Sequence, residues 1–201
     1  MSEHYYTQNP TSRHDVKRLN ITLDGKVLSF DTDAGVFSRG ELDAGTELMI
    51  KSLPELNGTA LDLGCGWGAL GLFVKARNPG LNITLADINE RAVELSRKNA
   101  LLNNIECEVV CSDGFSGIAG TFDVILTNPP IRAGKRVIYD MFLKAREHLT
   151  ASGALYIVIQ TKQGADSALK FLRENYADAD IIARGGGFKV IRALMSSACE
   201  D

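Results

Sequence analysis

The stretch Thr59-Ala60-Leu61-Asp62-Leu63-Gly64-Cys65-Gly66-Trp67-Gly68-Ala69-Leu70-Gly71 decides the fold. Its first five residues read as a short β-strand, and residues 68–77 read as a helix stopped by Asn78-Pro79-Gly80. A strand that passes through glycines into a helix begins a βαβ unit. Gly64 and Gly66 let the backbone turn sharply and let a ligand approach closely. Gly64, Gly66 and Ala69 also satisfy the loose pattern G-x-G-x-x-G/A, in which a pyrophosphate rests on a helix N-terminus. A tight strand-to-helix turn without a ligand satisfies it too.

Downstream, strands and helices alternate. Strands are expected over 82–86, 106–111, 122–127 and 154–160. Asn89 offers an N-cap to a helix ending near Asn103, with Glu94 and Lys98 spaced to pair at i,i+4. A second helix, from about Gly134 to Leu149, carries Val137, Ile138, Met141, Phe142 and Ala145 on one face. A third covers 165–175. Residues 154–159 are apolar throughout, which suits a strand covered on both faces. Two last strands, 180–183 and 188–195, are joined through Gly185-Gly186-Gly187, too tightly for a crossover, so the final one should run antiparallel. The pattern predicts an α/β fold with a seven-stranded, mostly parallel sheet and helices on both faces. Such a sheet binds ligands at the carboxyl ends of its strands, where strand order reverses.

Upstream, the first fifteen residues are polar and include Pro10, reading as a loosely tied arm. Runs 20–23 and 26–30 flank Asp24-Gly25 and form an N-terminal hairpin. Residues 35–40 read as a loop. Leu42, Leu48, Met49 and Leu53 place a helix over 42–53, ended by Pro54. The expected division is residues 1–54 for arm, hairpin and helix, and 55–201 for the ligand-binding domain.

Composition narrows the classes. The chain has 201 residues, 45% hydrophobic and 23% charged, with 22 Lys+Arg against 25 Asp+Glu. These are globular values, and the formal charge of −3 argues against a protein that coats nucleic acid by charge alone. The longest apolar run falls far short of the ~18 residues a membrane helix needs. The N-terminus lacks a basic and apolar leader, so a cytoplasmic location is expected. Cys65, Cys107, Cys111 and Cys199 have no disulfide-framework or zinc spacing, and His4, His14 and His148 are scattered, so no metal is expected.

Further acids fall at strand ends. Asp87 closes Leu85-Ala86-Asp87-Ile88, and Asp113 sits in Cys111-Ser112-Asp113-Gly114. Either could be a solvated or turn-forming acid. After the strand 122–127 comes Asn128-Pro129-Pro130-Ile131. Together these motifs resemble the class I S-adenosylmethionine-dependent methyltransferases, whose first motif is D-x-G-x-G-x-G. Asn-Pro-Pro-Ile resembles the Asn-Pro-Pro-aromatic signature of enzymes that methylate planar amino nitrogens: adenine N6, guanine N2 and the glutamine amide. Such a nitrogen is a poor nucleophile because its lone pair is delocalised. Asn128 and the Pro129 carbonyl would each accept one N–H and aim the lone pair at the methyl, an orientation that can supply up to ~7–11 kcal/mol. The prolines would hold both acceptors in place before substrate arrives. Ile131 departs from the usual aromatic, and an aliphatic side chain forfeits stacking worth ~1–3 kcal/mol.

The segments Gly35–Ile50 and Asn128–Lys135 resemble the single-domain branch of the small-subunit ribosomal RNA guanine-N2 methyltransferase C family. The resemblance implies S-adenosylmethionine as cofactor. It would be held by Asp62, Gly64, Cys65, Gly66 and Gly68 of the first motif, by Asp87 and Ile88 at the ribose, and by Asp113 and Gly114 at the adenine. Thr46 and Asn128 would lie near the methionine end. Asn128, Pro129, Pro130 and Ile131 would form the catalytic loop. Phe37, Arg39, Arg132, Lys135 and Arg136 would meet RNA, the expected partner, within small ribosomal subunit particles; any one of these charges could equally be solvated surface. Adenine-N6 or protein-glutamine methylation, and a cofactor-binding assembly factor without turnover, remain the alternatives.

Overall fold

The computed structural model describes residues 13–196. His4, Pro10 and Cys199 lie outside them. A two-stranded hairpin, β1 (Lys17–Leu23) and β2 (Lys26–Thr32), turns at Asp24-Gly25, both with positive φ. Then follow α1 (Ala44–Ser52), β3 (Thr59–Leu63), α2 (Ala69–Arg77), β4 (Asn82–Asp87), α3 (Glu90–Leu102), β5 (Glu108–Cys111) and β6 (Phe122–Thr127). The chain continues through α4 (Lys135–Glu147), β7 (Leu149–Gln160), α5 (Ala165–Asn175), β8 (Asp178–Gly185) and β9 (Phe188–Leu194). The seven strands from β3 onward form one sheet in the order β5-β4-β3-β6-β7-β9-β8, in which β9 alone is antiparallel to its neighbours.

The period-2 alternation of each central strand sends side chains to two cores. Ala60 joins the core covered by α1, α2 and α3, whereas Leu61 and Leu63 join the one covered by α4 and α5. Several boundaries differ from expectation; β1 starts three residues early, at Lys17, and β8 runs two residues further at each end, over Asp178–Gly185. β7 starts five residues earlier than its apolar run, because Leu149 pairs with Phe122 across an irregular register before the ladder resumes at Ala154. β5 starts later, at Glu108. Lys98 also departs from the expected helix pair. Its Nζ lies 2.6 Å from the buried carboxylate of Asp31 instead of reaching Glu94. Arg18, with Lys98 behind it, holds that carboxyl down at about 2.

Two asparagines one turn apart on α3 lock the hairpin to the domain. Asn103 exchanges hydrogen bonds with the Ser29 backbone (2.9 and 2.7 Å), and Asn99 does the same with Asp31 (2.7 and 2.9 Å). Asn99 also donates to the Trp67 carbonyl at 2.8 Å, in the glycine turn. Asn99 is fully buried, so truncating it strands three polar groups of the backbone. Asn99→Ala should destabilise the protein by about 2–4 kcal/mol, whereas Asn103→Ala, at the rim, should cost less, ~1 kcal/mol. Urea unfolding of the two variants checks the difference.

Candidate active site

Strand order reverses between β3 and β6, and there the turn Gly64–Gly68 meets the loop 128–131. The turn is held from both sides. The Gly64 and Cys65 amides donate to the Ala86 carbonyl (2.8 and 3.0 Å). The Gly66 amide donates to Asp87 Oδ2 (2.8 Å), and the Ser96 hydroxyl donates to the Gly66 carbonyl (2.9 Å). Gly68 caps α2 with φ +89°, and a Cβ there would crowd Ser96, Leu72 and Leu85 at 3.1–3.2 Å. Side chains are therefore disfavoured at this position on two grounds.

Asp87 ends β4 with both oxygens engaged, Oδ2 by Gly66 and Oδ1 by the Asn89 amide (2.9 Å). Burial pushes its carboxyl up, against those hydrogen bonds. Asp62 is buried and accepts from the Gly71 amide at 2.8 Å, fixing the start of α2. Burial pushes the Asp62 carboxyl up to about 7, with the nearby Asp87 charge adding to it. Burial likewise pushes the Cys65 thiol well up, so it stays protonated.

Asn128 follows β6. Its Nδ2 donates to Asp43 Oδ2 (2.9 Å) and to Thr46 Oγ1 (3.0 Å). Asp43 is the N-cap of α1, accepting from the Thr46 amide at 2.9 Å. These groups line an open cleft with Phe37, Ser38, Leu42, Asp62, Gly64, Cys65, Gly66, Trp67, Ala69 and Leu70. Trp67 is buried, and its indole donates to the Phe37 carbonyl (3.0 Å), tethering the loop above the cleft.

The structure thus brings Asp62, Gly64, Cys65, Gly66, Asn128, Thr46 and Phe37 around one cleft, with Asp87 behind the glycine turn. Gly68 serves as the α2 cap. Ile88 is half-buried at the end of β4, beside Asp87. Asp113 is exposed beyond β5, next to Gly114 at φ +55°. Pro129 is buried and Pro130 half-buried. Ile131 sits in a short 3-10 turn and lines a different cavity, with Lys135, Ile138 and Tyr139. Arg39 pairs with Asp15, Lys135 lies over the Tyr139 ring at 5.1 Å, and Arg136 is exposed. Asp43 and Trp67 had no predicted role. An aspartate ahead of a helical run is an N-cap signal that marks the former; nothing local marks the latter.

These residues fit S-adenosylmethionine. A Cβ on Gly64 or Gly66 would meet no protein atom within 4 Å, so the space over the turn is open to a ligand. Asp87 offers a rigid carboxylate at the strand end, where ribose hydroxyls could donate. Asp62 places an ionisable group on the cleft wall, where a cationic ligand would favour its charged form.

The Asp62 shift has a signed consequence. Its folded pKa of about 7 exceeds the ordinary 3.8, so the folded state holds this proton more tightly. The resulting stability is fully present below about 4 and is lost as pH rises through 7. Asp62→Asn, neutral throughout, should therefore gain on wild type by up to about 2–3 kcal/mol between pH 5 and pH 8. Urea unfolding at the two pH values measures it; an equal difference at both would place the carboxyl's titration elsewhere.

Among the described residues, no group of three or more His, Cys, Asp or Glu side chains is placed to hold a metal ion, and no helix is long and apolar enough to cross a membrane. A methyltransferase small domain model matches residues 27–192. The uncharacterised Bacillus subtilis protein YbxB is 45% identical over 198 residues, covering 96% of this chain and 98% of that protein. Ribosomal RNA small subunit methyltransferase C of Aeromonas hydrophila is 40% identical over 163 residues, 78% of this chain and 46% of its own length. The Haemophilus influenzae enzyme of that name is 40% identical over 164 residues, 78% and 48%. The chain spans about half the length of these last two relatives. Among solved structures, a T. thermophilus 16S rRNA N2 methyltransferase in complex with AdoMet and guanosine superposes with a TM-score of 0.81 at 24% identity, covering 92% of this chain and 52% of that one; the likeness is one of fold. The chain belongs to the methyltransferase small domain family.

Proposed function

We propose that this methyltransferase transfers the methyl group of S-adenosylmethionine to an exocyclic amino nitrogen, guanine N2 of small-subunit ribosomal RNA. The observation that carries the reading is Asn128, whose NH2 is already engaged by Asp43 and Thr46. The unengaged end of the amide is its carbonyl oxygen, an acceptor suited to an N–H donor. The identity with the ribosomal RNA methyltransferase C relatives supports RNA as the substrate, and their greater length makes the substrate a proposal for this chain.

When bound, S-adenosylmethionine supplies an electrophilic methyl on a sulfonium. Asp87 would hold the ribose hydroxyls, and the open faces of Gly64 and Gly66 would seat the cofactor against the turn. Asn128 Oδ1 and the Pro129 carbonyl accept the two amino protons and turn the nitrogen lone pair toward the methyl. The amino nitrogen would take the methyl as the sulfonium leaves as a neutral thioether, and would then give up one proton to water. No strong general base is required, because the nitrogen becomes acidic only after attack. Lys135 and Arg136, close after the catalytic loop, contact phosphates and position the RNA without reading its sequence.

Nucleoside analysis after reaction of the full chain with labelled cofactor and purified small subunits tests the proposal. N2-methylguanosine is the expected product. N6-methyladenosine, label in protein, or no incorporation in a cofactor-binding chain would each replace it.

A further inference from the structure

We propose that Asp43 is a positioning residue that fixes the sense of the Asn128 amide and thereby restricts the methyl acceptor to an atom that carries hydrogen. The second half rests on the amino-nitrogen reading above; the first stands on geometry alone.

An asparagine amide is nearly isosteric when flipped, so its position does not say whether oxygen or nitrogen faces the substrate. Asp43 settles the question. A carboxylate only accepts, and its Oδ2 lies 2.9 Å from Asn128 Nδ2. Flipping the amide would bring two acceptors together and forfeit a charge-assisted hydrogen bond, disfavouring the flipped state by roughly 10–200-fold. Thr46 reinforces the choice. Its hydroxyl donates to the same Oδ2 (3.3 Å), which turns its lone pair toward Asn128 Nδ2 at 3.0 Å. One carboxylate oxygen therefore organises the Thr46 amide, the Thr46 hydroxyl and the Asn128 amide.

The local sequence is shaped to bring Asp43 there. A Cβ on Gly45 would meet Phe188 at 2.8 Å and Asp43 Oδ2 at 3.0 Å, so the first turn of α1 is bare where it packs against the start of β9. The cap of a helix outside the strand–helix alternation thus sets the polarity of a loop 85 residues away in sequence. With Asn128 Oδ1 facing outward, an amino group meets an acceptor. A ring nitrogen presenting only a lone pair meets a lone pair, and the site turns it away.

The test uses the full chain and separates capping from positioning. Serine caps helices as well as aspartate does, but its oxygen sits one bond closer to the backbone, short of Asn128. Asp43→Ser should stay folded and bind S-adenosylmethionine within about threefold of wild type, yet slow single-turnover methyl transfer by about 10–100-fold, as misplacement of an orienting group does. Asp43→Asn retains an acceptor at the right reach and should recover most of that loss. In ¹⁵N-labelled protein without cofactor, the Asn128 side-chain NH2 resonances are those that vanish in Asn128→Ala. They should exchange slowly in wild type and Asp43→Asn, and quickly in Asp43→Ser. If Asp43→Ser retains both the wild-type rate and slow exchange, the proposal is overturned. Should the serine variant fail to fold, Asp43→Gly, a residue also accepted at a helix N-cap, removes the same acceptor; unchanged exchange and rate there would overturn it equally. If wild type methylates no RNA, the amino-nitrogen reading fails, and the exchange measurement alone decides the role of Asp43.

Discussion

Asn128→Ala should lower the chemical step of methyl transfer by about 100–1000-fold while leaving cofactor affinity within a few-fold of wild type. The side chain follows β6, a strand whose Ile125 and Leu126 are fully buried, so the fold does not depend on it. Its amide makes two hydrogen bonds, both to the first turn of α1, and truncation leaves Asp43 still capping Thr46. The stability cost should accordingly stay near ~1 kcal/mol. What disappears is an acceptor held ready before the amine arrives. On the proposed function, the target amine would then lose one of the two acceptors that orient it, and its lone pair would stay delocalised. Single-turnover assays with saturating cofactor separate the two effects. A near wild-type rate would remove Asn128 from amine orientation, and a selective loss of cofactor affinity would make it a cofactor ligand instead. Asn128→Asp is informative beside it. A carboxylate at this position would face Asp43 Oδ2 at close range, so the variant should lose activity too, although it keeps an acceptor oxygen.

Much of this arrangement is legible in the sequence because the central elements are locally overdetermined. β3, β6 and α5 fall where apolar period and flanking glycines, prolines and polar residues put them. The glycine turn and Asn128-Pro129-Pro130 are equally local: the turn needs positive φ at Gly64, Gly66 and Gly68, and prolines announce a rigid loop. Contacts made at long range leave no such trace. Nothing local marks Asn99 or Asn103 for a tertiary role, yet the hairpin returns over α3 and buries Asn99 completely. Lys98 is drawn from its helical neighbour by the buried Asp31 on that same hairpin. Arg39, which the resemblance places toward RNA, also pairs with Asp15. Ile131 follows Asn128 by three residues, but a 3-10 turn carries it toward Ile138 and Tyr139. For the two asparagines, Lys98 and Arg39 a partner distant in sequence outweighs the local pattern; at Ile131 the turn itself redirects the side chain.

The second large effect belongs to Asp87. Asp87→Ala should weaken S-adenosylmethionine binding by about 10–200-fold, the equivalent of losing one charged hydrogen-bonding group worth ~1.5–3 kcal/mol. Two consequences combine. The ribose loses its acceptor, and the Gly66 amide loses the Oδ2 that holds it at 2.8 Å, so the turn beneath the cofactor loosens. Asp87→Asn probes the second. The asparagine keeps one oxygen, for either the Gly66 or the Asn89 amide, and must point its NH2 at the other donor, since both carboxylate oxygens are engaged in wild type. A donor facing a donor is worse than an empty space. Asp87→Asn should therefore bind cofactor no better than Asp87→Ala, despite its closer shape, and should melt lower. Were Asp87 only a solvated acid at the start of α3, the asparagine, itself a good residue near helix starts, would be nearly silent in both measurements. Calorimetric titration of the two folded variants checks this: large losses in both are the expected result, and wild-type affinity in Asp87→Asn removes Asp87 from the cofactor site.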